Sequence, residues 1–250
     1  MKSHIQLNKG WMKYFQNKIK DKNGKQTYCL TLPDLKIIST KIGTLGTKEN
    51  YYVQDVENFY NEKFEKQFGE ILNKITKDIK PSTATFNLSE VDKEFIQKFM
   101  AINISRSPLT NIQADLQSNS PLKFITPPGV LSLAVYAENL KYFENYKIRF
   151  IYNNSNTGFI LPSYCHYRTF ENEDLQPIAV IPITDKIAIV FDNNPCIENS
   201  VTLISDENII INKFNLFAFI VELYTNCNYL ISKTEKPLID IQKIATISGS

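Results

Sequence analysis

Of the 28 basic residues in this chain only Arg106, Arg149 and Arg168 are arginines; the rest are lysines. The chain leans on Lys, Asn, Ile and Tyr throughout, so a position that keeps arginine asks for what lysine lacks. That is a planar, permanently charged fork that grips a phosphate or carboxylate through two parallel hydrogen bonds. Histidine is scarcer still, with His4 and His166 alone, and Trp11 is the single tryptophan. Histidine exchanges protons near neutral pH, so arginine and histidine together suggest anion binding with acid-base chemistry. In Tyr164-Cys165-His166-Tyr167-Arg168, strand alternation puts Tyr164, His166 and Arg168 on one face. Such a face can grip a phosphate or stack on a base, and it is equally what a solvent-facing strand end looks like.

Arg106 has to be placed by helices. The segment from about Gln54 to Lys80 has an apolar stripe of Tyr60, Phe64, Phe68, Ile71, Ile75 and Ile79, the period of an amphipathic helix. Glu57 lies within that stripe, Glu65 on its edge and Glu70 well away from it. Pro81 ends the helix, and Ser89 with Asp92 three residues later reads as the N-cap of the next. That second helix carries Val91, Phe95, Phe99 and Ile102 on one face, and four residues further the same stripe reaches Arg106. A guanidinium on an apolar face needs a partner, because a lone buried charge costs several kcal/mol. The partner is either Glu57 or Glu65, in a structural ion pair, or an anionic ligand.

The surrounding elements read as follows. A short amphipathic helix spans Leu7 to Phe15, and the turn Asp21-Lys22-Asn23-Gly24 leads into a hairpin of Gln26 to Leu32 with Lys36 to Ile42. Gly129 to Tyr142 is a helix apolar nearly all round. From Lys147 the pattern changes to strands, at 147–152, 158–164, 177–183 and 186–192, with Thr184-Asp185 as a tight turn. A hydrophobic helix over Asn212 to Asn226, a strand at Tyr229 to Ser232 and a helix from about Pro237 complete the chain. The expectation is one α+β domain over residues 1–250, helix-rich to 146 and strand-rich beyond. A helical layer from the N-terminal half then packs on a mainly antiparallel sheet from the C-terminal half.

Composition narrows the function classes. With 43% hydrophobic and 22% charged residues and a formal net charge of +2, the chain has an ordinary globular make-up and no global charge for nucleic acid or membrane. Its basic excess is local, with seven lysines and one aspartate in residues 1–25. That stretch reads as a solvated lysine-rich surface or as a phosphate-facing edge. Cys29, Cys165, Cys196 and Cys227 have neither zinc-ligand nor disulfide-framework spacing, and read as thiols in a reducing compartment. The N-terminus has no apolar signal region, and the most apolar stretch, Ile209 to Tyr224, is interrupted by Asn212, Lys213 and Asn215. A cytoplasmic protein with no membrane partner is expected. Neither GxGxxG nor a Walker pattern occurs; no cofactor is evident, although carboxylate-bound Mg²⁺ is compatible with the sequence.

Asn215 and Glu222 are seven residues apart in an otherwise apolar helix and so share a face. Either Asn215 satisfies a loop backbone, or the two line a polar pocket. Taken together, several short stretches resemble the bacterial domain family of unknown function numbered four-two-three-eight. They are His4 with Phe15, Phe59-Tyr60, Phe95-Ile96 through Ser105-Arg106-Ser107-Pro108, Phe159-Ile160, Pro182-Ile183-Thr184 and Asn215. Members of that family open His-Tyr-Val-Pro-Gln and carry Arg-Thr-Pro after a helix. The chain is divergent: Gln6-Leu7-Asn8 replaces Val-Pro-Gln, and Pro162-Ser163-Tyr164-Cys165 stands where Ser-Asp-x-Pro is expected. The resemblance nominates His4, Glu57 or Glu65, Arg106 and Asn215 as the polar positions.

Two functional expectations follow. In the first, the protein is a nuclease-like effector of a defence or toxin-like system that acts on nucleic acid or nucleotides. His4 serves as general acid or base, a glutamate holds a divalent metal or orients His4, and Arg106 stabilises a pentacoordinate phosphate. His166 and Arg168 add substrate contacts. In the second, it is a non-catalytic interaction protein with a protein partner, and Arg106 belongs to a structural ion pair.

Overall fold

A computed structural model of the chain describes residues 2–4, 11–17, 20–21, 24–41, 45, 47–49, 64, 66–106, 143–163, 167–170, 177–205, 208–225 and 229–248. The expected helix at Gly129 to Tyr142 and the Glu57 end of the first long helix lie outside these residues. The α+β class holds. After the short strands β1 (Lys2–His4), β2 (Lys20–Asp21) and β3 (Gly24–Lys25), strands β4 (Thr27–Thr31) and β5 (Lys36–Thr40) form the hairpin read from the sequence, and β6 (Thr47–Glu49) follows. Helices α1 (Lys66–Asp78) and α2 (Glu90–Arg106) follow. Ser89 caps α2 as expected, its Oγ accepting the Asp92 amide at 3.1 Å.

The second half supplies β7 (Lys147–Asn153), β8 (Leu161–Pro162), β9 (Tyr167–Phe170), β10 (Pro177–Pro182), β11 (Ile187–Asp192), β12 (Val201–Ile204) and β13 (Tyr229–Ser232). It also supplies α3 (Asn208–Thr225) and α4 (Lys236–Ser248). A five-stranded sheet runs β12-β7-β11-β10-β9, antiparallel except where β12 lies parallel to β7. The β10-β11 turn closes at Thr184-Asp185 as expected: Thr184 Oγ1 accepts the amides of Lys186 and Ile187 at 2.9 and 2.8 Å, the hydroxyl substituting for a backbone acceptor.

A second sheet, ordered β5-β4-β13-β8, joins the N-terminal hairpin to two strands of the second half. Both sheets have apolar residues on two faces. Ile148, Phe150, Ile181, Ile189 and Phe191 join one cluster with residues of α1 and α2. Ile151, Val180, Ala188 and Val190 join another with residues of α3 and α4. All six residues of β11 are buried, as expected for a central strand covered on both sides.

The first cluster is built on aromatics. Phe68 of α1 and Phe99 of α2 stack at 3.4 Å between ring centroids. Trp11, wholly buried, meets both edge-on at 5.6 and 5.5 Å, a geometry that suits the ring quadrupoles. Its indole Nε1 donates to the Pro182 carbonyl at 3.0 Å, tying the N-terminal segment to β10. A short 3-10 helix, Met12–Phe15, follows Trp11, where a longer amphipathic helix was expected. The expected stripe of α2 is also corrected: Val91 is 68% exposed, whereas Phe95, Ile96, Phe99 and Met100 are buried. The buried arc is centred between those four residues, and Val91 lies outside it.

Candidate functional site

α3 carries two polar side chains into an apolar interior. Asn215 is 2% exposed and Glu222 is fully buried. Seven residues is close to two helical turns, so both lie on the side of α3 that meets β8 and β9. The Asn215 amide is used on backbone: Nδ2 donates to the Gly158 carbonyl at 2.9 Å, and Oδ1 accepts the Ile160 amide at 2.9 Å. This explains why, among the described residues 158–163 of the expected strand, the regular part is Leu161–Pro162. The backbone of Gly158 and Ile160 pairs with a side chain, and the Phe159 amide pairs with the Asp185 carbonyl at 3.0 Å.

Two turns further, Glu222 accepts a hydrogen bond from Ser163 Oγ at 2.6 Å. Ser163 is held from the other side by its own amide, which donates to the Tyr229 carbonyl of β13 at 3.1 Å. Cys29 of β4 completes the neighbourhood. Burial, reinforced by the negative charge of Glu222, pushes its thiol up to about 12. A thiol so held stays protonated at neutral pH and is a poor nucleophile. Sequence reading singled out Glu222 with Asn215 but did not bring Ser163, just past β8, or Cys29 of β4 to Glu222, because both are distant from α3 in sequence.

The sequence-nominated residues fall in several places. His4 lies in β1 (Lys2–His4), paired with Thr47 of β6 (Thr47–Glu49). Arg106 is the last residue of α2, and Arg168 sits in β9 opposite Ala179. Glu57, Glu65 and His166 lie outside the described residues. Of this set the structure places Arg168 and Asn215 on elements that pack together, β9 and α3. His166 falls between β8 and β9 in sequence, three residues past Ser163. Arg149, which the sequence marked only by its rarity, is 2% exposed, and its Nε donates to Asp192 Oδ2 at 3.2 Å. It forms a buried ion pair within the five-stranded sheet.

A second polar region is a cleft of about 250 Å³ between α2 and the start of β7. There Lys93 bridges Glu90 and Glu198, each at 2.9 Å, and Lys147 reaches Glu198 at 3.7 Å. The hydrogen bond from Lys93, with the positive charges around it, lowers the Glu198 carboxyl below its ordinary value. The cleft's charges therefore tie α2 to the turn before β12. Among the described residues, no three of His, Cys, Asp and Glu come together as metal ligands, and no helix is long and apolar enough to cross a membrane.

No curated protein and no solved structure matches this chain. Residues 9–123 match the family model described as Protein of unknown function (DUF4238), and the first half of the chain resembles that family.

Proposed function

We propose that this protein acts on phosphodiesters, with nucleic acid or a nucleotide as substrate, at the place where α3 meets β8 and β9. The observation that carries the proposal is the hydrogen bond from Ser163 to the fully buried carboxylate of Glu222, three residues before His166 and five before Arg168. A buried carboxylate is costly to keep charged, and one that faces a hydroxyl is placed for proton transfer. In this reading Asn215 is a positioning residue that fixes the backbone leading to Ser163. His166 and Arg168 contribute acid-base capacity and a phosphate-gripping fork, and His4 and Arg106 are further candidates for substrate contact. The setting we propose is the cytoplasm of a bacterium, as an effector of a defence or toxin-like system.

The test is purified protein incubated with RNA, single-stranded DNA and nucleotides, with Mg²⁺ or Mn²⁺ supplied. Turnover should fall by about 100-fold or more in Glu222→Gln and His166→Ala. An inert wild-type protein, or turnover indifferent to both changes, defeats the proposal. A second reading, a non-catalytic interaction protein with a protein partner, draws on Arg149, the arginine whose ion pair is described, since that guanidinium serves structure. If Arg106 is used the same way with Glu57 or Glu65, Arg106→Ala loses about 3 to 5 kcal/mol of stability, measured by urea unfolding.

A further inference from the structure

We infer that Ser163 is a nucleophile, activated by Glu222, that takes the phosphoryl group onto its own Oγ; this rests on the phosphodiester reading above and adds a covalent intermediate to it. One contact holds the hydroxyl itself, and two more fix the backbone that carries it. Its amide is fixed to β13 through the Tyr229 carbonyl, its Oγ points to Glu222 Oε2 at 2.6 Å, and the chain before it is clamped to α3 by Asn215. A nucleophile gains from such a fixed attack geometry. The asymmetry of burial fits as well: Glu222 is fully buried and Ser163 only partly, so the base is the more shielded of the two.

The chemistry balances without an added oxidant or reductant. Ser163 Oγ attacks phosphorus as Glu222 takes its proton; the bond from phosphorus to the leaving alkoxide breaks, and Glu222 returns the proton to that alkoxide. The product is a phosphoserine diester and a free alcohol. Water then attacks phosphorus, Glu222 accepts a proton from it, the Oγ–P bond breaks, and that proton restores the Ser163 hydroxyl.

The experiment treats the full-length protein with a fluorophosphonate and locates the adduct by peptide mass spectrometry. In parallel it measures turnover of bis(p-nitrophenyl) phosphate by wild type, Ser163→Ala, Glu222→Gln and Glu222→Asp. The expected result is an adduct on Ser163, with the labelling rate lowered by about 100-fold in Glu222→Gln and partly restored in Glu222→Asp. Thermal melting checks that each variant is folded, and the aspartate variant keeps the test valid if the glutamine variant is not. No adduct on Ser163 in wild type, or turnover retained in Ser163→Ala, overturns the inference. Turnover lost in Glu222→Gln but kept in Ser163→Ala removes the nucleophile and leaves the phosphodiester reading standing. An adduct on Ser163 with no turnover of any phosphodiester upholds the nucleophile and ends that reading.

Discussion

Asn215 shows how far a single residue could be read in advance. An asparagine in an apolar helix needs hydrogen-bond partners, and the sequence offered two sources, a loop backbone or a pocket. The structure gives the backbone, and its partners, Gly158 and Ile160, lie 57 and 55 residues earlier in the chain. That separation is why the sequence could state the need but not the answer. Arg149 is the converse case: its rarity was visible, but Asp192 is a diagonal neighbour across β7 and β11, and that register exists only once the strands pair. Because Asn215 both donates and accepts, Asn215→Leu leaves a half-buried carbonyl at Gly158 and a buried amide at Ile160 without that partner. The loss is expected to be about 2 to 4 kcal/mol, measured by urea unfolding. Asn215→Asp keeps only the acceptor and adds a buried charge, so it should be no milder. If Asn215→Leu melts like wild type, the clamp on residues 158–160 contributes nothing.

At the scale of elements, those with a local signature were legible. The Ser89 cap, the Thr184-Asp185 turn, the β4-β5 hairpin and β13 at Tyr229–Ser232 all sit where period and turn chemistry put them. Strand β12 was not legible, because its burial runs buried, exposed, exposed, buried, which breaks the alternation a half-buried strand shows. The segment after Trp11 is a 3-10 turn where a regular helix was expected, the Leu7 end of which lies outside the described residues; Trp11, Met12 and Phe15 are all buried in the same cluster as residues of α1 and α2. Trp11 is thus the joint between the N-terminal segment, the two helices and β10. Trp11→Phe keeps an aromatic ring against Phe68 and Phe99 but orphans the Pro182 carbonyl, and should cost about 1 to 3 kcal/mol. Trp11→Ala removes the ring too and should cost about 3 to 5 kcal/mol. Circular dichroism in urea separates the two, and equal losses would mean that the indole hydrogen bond carries no weight.

For the whole molecule, the arrangement that matters is two apolar clusters divided by the same sheets. The α+β class was readable from the change of pattern near Lys147, but which helices cover which face was not, since strand-face assignment depends on pairing between distant segments. The division has a thermodynamic consequence. Ile151 and Ile189 lie on neighbouring strands, β7 and β11, and point into opposite clusters; both are essentially fully buried. Truncating either to alanine should cost about 2 to 5 kcal/mol through lost transfer energy and a residual cavity. Trp11 reports on the first cluster alone, and as the single tryptophan of the chain its native emission should be blue-shifted and move red on unfolding. If the shared strands couple the clusters into one cooperative transition, Ile151→Ala shifts the Trp11 fluorescence midpoint in urea as far as it shifts the circular dichroism midpoint. It should do so although it touches only the far face. A fluorescence midpoint unmoved by Ile151→Ala, beside one displaced by Ile189→Ala, would show that the α3 side, with Ser163 and Glu222 attached to it, loosens independently of the aromatic core.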